Sequence, residues 1–203
     1  MKLIFVILLA ALVLSCDNNP YNCNLDSSIL AKNDSIMQLP ETKTRFTSRF
    51  LNPHKEPKLE TLGVKSYRLL VTYSWERDTW IYRFEKTANG GMLTIKKTYE
   101  ESYKKVNSNV SDTTIQRELN AEKWDEIKKV FDANCFWTLP LDIDRNGLDG
   151  RICFLEAFDP DRQNPVDKEY FIAGRWSPEK NTDFRRICDF IELNRMTNGK
   201  NKA

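Results

Sequence analysis

The stretch from Ser66 to Tyr99 constrains the fold more than any other part of the chain. Between Ser66 and Tyr73 the side chains alternate, with Tyr67, Leu69, Val71 and Tyr73 on one face and Leu70 adding apolar character to the other. Thr79 to Lys86 repeats the pattern with Trp80, Tyr82 and Phe84 aligned. A period of two is the mark of a strand with one face buried. Ser74 to Asp78 supplies a first turn. Asn89-Gly90-Gly91, residues that tolerate positive φ, then supplies a second turn before Met92 to Tyr99. Three such strands in succession predict an antiparallel meander. Thr113 to Leu119 offers a fourth strand, after a polar loop or strand extension over residues 100–111.

The periodicity then changes. Asn120 is placed to cap a helix from Ala121 to about Asn134, whose Trp124, Ile127 and Phe131 recur at helical spacing beside Val130. Glu122 and Asp125 put negative charge near its N-terminus, the favourable end of the dipole. A second helix is expected from Asp183 to Met196, with Phe184, Ile187, Cys188 and Ile191 as its stripe. Between them, Arg151 to Phe158 and Lys168 to Gly174 read as another antiparallel pair, joined by the turn-rich residues 159–167. The expected class is α+β, an antiparallel sheet packed against two main helices. An apolar fraction of 40 % is enough for one sizeable core. The balance of 31 Lys plus Arg against 29 Asp plus Glu argues against a uniformly basic nucleic-acid-binding domain. The pairs Lys96-Lys97, Lys104-Lys105 and Lys128-Lys129 read as solvated faces.

The N-terminus carries an address. Met1 and Lys2 precede an apolar run from Leu3 to Leu14. As a helix that run extends about 18 Å, too short for a hydrocarbon core of roughly 30 Å, so it reads as a signal peptide. Val13-Leu14-Ser15-Cys16 resembles the bacterial lipobox, in which the peptide is cut before the cysteine and lipid is attached to its thiol. The resemblance implies an envelope lipoprotein, anchored to a membrane through lipid on Cys16, with its folded part outside the cytoplasm. The expected organisation is a signal peptide over 1–15, a lipidated cysteine and polar tether over 16–60, and one α+β domain over 61–203.

Four further cysteines, Cys23, Cys135, Cys153 and Cys188, allow two disulfides in an exported chain, in three pairings. A bridge between Cys135 and Cys188 would staple the two helical regions, leaving Cys23 and Cys153 to each other. The alternative is that some are small buried residues. His54 is the sole histidine and sits between two prolines in a linker-like segment. Zinc ligation and histidine-dependent nucleophilic catalysis are therefore disfavoured.

Cys135-Phe136-Trp137-Thr138-Leu139-Pro140, Gly147-Leu148-Asp149-Gly150, Leu155-Glu156 and Arg175-Trp176-Ser177-Pro178 together resemble a widespread group of uncharacterised bacterial proteins with FW-x-LP, GLDG and RWSP motifs. The likeness spans roughly residues 66–195, and it implies a β-meander and helix ahead of FW-x-LP. It departs at Cys153, where the pattern is usually aromatic, and in the longer connection over 158–167. No activity comes with it. Read from their chemistry, Asp149, Glu156, Tyr170, Arg175 and Trp176 form either a binding site or a structural network, with Glu156 and Arg175 meeting across the second strand pair. Asp142, Asp144 and Asn146 before Gly147 match the first half of a calcium loop, although Cys153 stands where its bidentate glutamate belongs. An Asx-rich surface turn is the alternative.

Two functions follow as expectations. One is a membrane-tethered binding or protein-interaction module with an envelope protein or glycan as partner, which calls for a contiguous exposed aromatic patch. Trp75, Trp80 and Tyr82 are candidates for it, although strand packing suits them better. The other is a glycan hydrolase using Asp149 and Glu156 in a cleft.

Overall fold

The computed structural model describes residues 23, 28–29, 31–33, 40–73, 77–107, 111–141, 150–162 and 169–197. Six antiparallel strands form one sheet: β1 (Ser66–Tyr73), β2 (Asp78–Thr87), β3 (Gly90–Tyr99), β4 (Thr113–Asn120), β5 (Arg151–Phe158) and β6 (Tyr170–Trp176). Their order is β4-β3-β2-β1-β5-β6. The fold is therefore α+β, with the meander running outward from β1 and the later hairpin added on its other side. Gly90 has φ +150° where β2 turns into β3, a conformation that L side chains rarely adopt.

The α-helices beside the sheet include α1 (Pro40–Phe46), α2 (Glu101–Val106), α3 (Ala121–Ala133) and α4 (Asp183–Thr197). Helix α2 occupies part of the segment expected to be a polar loop or strand end. The Asn120 side chain accepts a hydrogen bond from the Lys123 N–H, capping α3 as its sequence calls for.

Helices α3 and α4 cover one face of the sheet. Trp124, Ile127 and Phe131 of α3 are buried, with Phe131 packed 4.3 Å from the Tyr67 ring. Phe184, Ile187, Cys188 and Ile191 of α4 are buried as well. The Arg151 guanidinium donates to Glu192 at 2.6 Å and the Tyr73 hydroxyl donates to the same carboxylate at 2.9 Å, fastening α4 over the strand ends. Burial raises the Tyr73 phenol to about 12, with Glu192 adding to the rise and the Arg151 hydrogen bond opposing it.

The opposite face is also covered, and this corrects the expected tether over 16–60. From α1 the chain passes through a π-helical turn (Thr47–Leu51) and two short 3-10 turns (Asn52–His54 and Leu59–Leu62) that lie on the sheet. Phe46 and Phe50 pack against Phe154 at centroid distances of 5.2 and 4.4 Å. Leu51 and Leu59 are fully buried, and each such side chain is worth about 1.5–3 kcal/mol removed from water. The folded unit thus has three layers and reaches back well before residue 61. Strand β1, central and covered on both faces, is buried continuously from Ser66 to Val71.

The N-terminal segment is pinned further by a disulfide between Cys23 and Cys135. This replaces the expected bridges of Cys135 with Cys188 and of Cys23 with Cys153. The reason is layering. Cys135 follows the C-terminal end of α3, whereas Cys153 and Cys188 are buried thiols of β5 and α4. Asn33 adds a second clamp. Its amide donates to the Leu139 carbonyl at 2.8 Å, and its side-chain oxygen accepts from the Leu141 N–H at 3.1 Å.

Candidate functional site

Pairing register decides which of the motif residues can meet. Glu156 lies opposite Arg68 on β1 and Ile172 on β6, while Arg175 lies opposite Cys153. Successive residues of a strand point to opposite faces, so Glu156 and Arg175, expected to meet, are on different faces of the sheet. Arg175 instead donates to the carbonyls of Pro140 and Gly174 and lies over the Phe184 ring. Tyr170 and Trp176 do share the face of Glu156, but six residues of strand put about 20 Å between them. Trp176 packs by Gly150, where a Cβ would fall 3.1 Å from its indole and 2.2 Å from Ser177 Oγ. The four described residues of the set, Glu156, Tyr170, Arg175 and Trp176, do not make one site. Asp149, like Asp142, Asp144 and Asn146 of the calcium reading and Cys16 of the lipidation reading, lies outside the described residues.

What Glu156 does meet is a cation that its motif never suggested. Arg68, with no exposed surface, donates from Nε and Nη2 to the two Glu156 oxygens at 2.7 and 2.8 Å. This is the bidentate geometry for which a guanidinium is shaped. The Tyr170 hydroxyl donates to Glu156 Oε1 at 2.8 Å. Arg68 Nη1 also donates to the Pro57 carbonyl at 2.7 Å and reaches Glu56 at 3.3 Å. Glu56 accepts in turn from Arg83 at 2.5 Å and from Lys96 at 3.3 Å, and Arg83 bonds Glu85 at 2.8 Å. Three carboxylates and three cations balance, which is how buried charge is tolerated beneath the N-terminal helices. Burial pushes Glu156 above the usual carboxylate range, against the pull of Arg68 and Tyr170. Burial and the adjacent Glu156 push the Tyr170 phenol far up, so it stays a donor.

Chemically, this network is closed. Glu156 is 1 % exposed and its oxygens are held by Arg68 and Tyr170. A general acid in a glycan cleft must reach a leaving-group oxygen, and this one is sealed under the α1 layer. The arrangement ties the N-terminal layer, through Glu56 and Pro57, to the strands of the sheet.

The FW-x-LP residues are structural in the same sense. Phe136, Trp137 and Leu139 are buried, and Phe136 meets Phe171 edge-on at 5.2 Å. The backbone of Leu139 and Leu141 receives Asn33, and the carbonyl of Pro140 receives Arg175.

A different cluster stands at the far end of β2 and β3. Trp80, Tyr99 and Tyr103 are half-buried there, whereas Tyr82 is in the core and Trp75 lies outside the described residues. The Lys97 ammonium lies 4.9 Å from the Trp80 ring centroid and 5.0 Å from that of Tyr99. Tyr99 stacks on Tyr103 at 5.9 Å. Asp78, 1 % exposed, accepts through Oδ2 from Lys97 at 2.9 Å and from the Trp80 indole N–H at 3.2 Å, while its Oδ1 has no hydrogen-bond partner. No aromatic side chain is fully exposed among the described residues, so this half-buried row is what remains of the expected patch.

Among the described residues no group of three or more His, Cys, Asp or Glu is gathered to hold a metal, and no helix is long and apolar enough to cross a membrane. His54 bonds Thr98 through Nδ1 at 2.7 Å. No known family model matches this chain, and no curated protein matches it significantly.

Proposed function

We propose that this chain is a bacterial envelope lipoprotein, anchored through lipid on Cys16, whose folded domain is a protein-interaction module. The observation that carries the interaction reading is the row Trp80, Lys97, Tyr99 and Tyr103, which joins half-buried aromatic rings to a cation and a carboxylate at one end of the sheet. Large aromatic side chains dominate the energetics of protein contacts, and neighbouring charges set orientation. The sealed state of Glu156 supports binding over glycan hydrolysis. The signal-like N-terminus and Val13-Leu14-Ser15-Cys16 support the anchor.

Both parts are open to test. In a bacterial host, radiolabelled palmitate should enter the wild-type chain and not Cys16→Ala; equal labelling of the two removes the anchor. For the module, the chain is crosslinked in intact envelopes and its partners identified beside a Trp80→Ala, Tyr99→Ala variant shown to fold. One reproducible protein partner, lost in the variant, is expected. Capture that is identical in both refutes the assigned surface, and retention on peptidoglycan or oligosaccharide columns alone replaces the protein partner with a glycan.

A further inference from the structure

Cys153 and Cys188 are each fully buried and carried by different layers, one on β5 and the other on α4. Their positions are set by contacts on either side. Arg151, two residues before Cys153, bonds Glu192, four residues after Cys188. Two residues of strand advance about 6.6 Å and four residues of helix about 6 Å. Stepping from Arg151 to Cys153 and from Glu192 back to Cys188 therefore brings the two thiols opposite one another. The next step agrees. Arg175, cross-strand partner of Cys153, lies over Phe184, one helical turn before Cys188. The thiols sense each other as well: burial first, and then hydrogen bonding and charge from Cys153, push the Cys188 thiol far above its ordinary range.

We propose that Cys153 and Cys188 are a redox pair that closes into a second disulfide, stapling α4 to β5. Closure joins the two sulfurs and releases two protons and two electrons. The acceptor is the disulfide of an envelope thiol–disulfide oxidoreductase, itself reduced to two thiols; this oxidant rests on the envelope location proposed above. Neither thiol has exposed surface, and a protonated buried thiol is a poor nucleophile. Exchange therefore takes place before α4 docks, or while it is transiently undocked. Once made, the bond is shielded from reductants by the same packing. The redox state of this pair records the conditions under which the chain folded.

The test does not need the cell. The full chain, held in mild detergent, is unfolded with reductant and refolded in a buffer of oxidised and reduced glutathione. Its remaining thiols are then alkylated after denaturation and its peptides mapped by mass. Expected are two linkages, Cys23 to Cys135 and Cys153 to Cys188, and a Tm about 10 °C above that of Cys153→Ala, from the loop closed by the second bond. Recovery of Cys153 and Cys188 as separate alkylated thiols from refolded chain that carries the first bridge overturns the proposal. The mapping uses the unaltered chain, so it decides even if Cys153→Ala does not fold. A second bridge that forms in glutathione but is missing from protein isolated from cells supports the pair and counts against the envelope location.

Discussion

Glu156→Ala is the perturbation that most directly probes the buried charge network between the sheet and the N-terminal layer. It removes three hydrogen bonds at once, those from Arg68 Nε, Arg68 Nη2 and the Tyr170 hydroxyl. It also leaves the Arg68 guanidinium fully buried with the Pro57 carbonyl at 2.7 Å and a longer contact to Glu56 at 3.3 Å. Taking one partner from a buried pair costs about 3–5 kcal/mol, because the other charge stays desolvated. In a domain of this size that is a fall in Tm of about 10–15 °C. The assay is urea unfolding followed by fluorescence, with Arg68→Met, Glu156→Met and the double variant completing a cycle. Removing both charges should recover much of the loss, giving a coupling of about 2 kcal/mol or more between the two sites. A single-variant cost below about 1 kcal/mol, or strictly additive effects, would refute the claim that this buried pair holds the charge network together.

Two further outcomes are expected. Burial first, and then Lys96, hold the His54 imidazole below its ordinary value of 6.5, so the unfolded chain takes up this proton before the folded one does. Its contribution to stability is complete above about pH 6.5 and is lost as pH falls from there through the lower folded-state value; urea midpoints measured from pH 8 to pH 5 should fall less steeply in His54→Gln, and equal slopes would exclude this residue. At Gly90 a Cβ would fall 2.1 Å from the Leu119 carbonyl oxygen, a backbone atom, whereas at Gly63 it would meet nothing within 4 Å. Gly90→Ala should therefore cost about 3 kcal/mol or more and Gly63→Ala about 1–2 kcal/mol, the latter from positive φ alone; comparable unfolding midpoints for the two would contradict the close approach of Gly90 to the junction of β4 and α3.

The local elements were legible because each rests on neighbours in sequence. Alternation gave β1, β2 and β3 within a residue or two. The stripe Trp124, Ile127, Phe131 and the cap Asn120 gave α3, and Phe184, Ile187, Cys188 and Ile191 gave α4. The segment over 40–60 reads as part of the tether because charged, Ser, Asn and Pro residues outnumber its apolar anchors. Its usable signal was small: Phe46 and Phe50 are one helical turn apart, and the periodicity is then interrupted by a π turn and two 3-10 turns. Arg68 carried a signal of its own, a charged residue inside an otherwise apolar strand, with Glu156 placed likewise in β5.

By itself, then, the sequence determined the strands, the two long helices, the turns between them and the α+β class, since backbone geometry and side-chain period act over a few residues. Only the tertiary structure decided which residues face each other. It joined Cys23 to Cys135, set Cys153 beside Cys188, gave Glu156 to Arg68 and denied it to Arg175. Each of those outcomes depends on strand register and on which layer covers which face. A shift of register by one residue exchanges every partner on a face, and nothing in the spacing of residues along the chain fixes that choice.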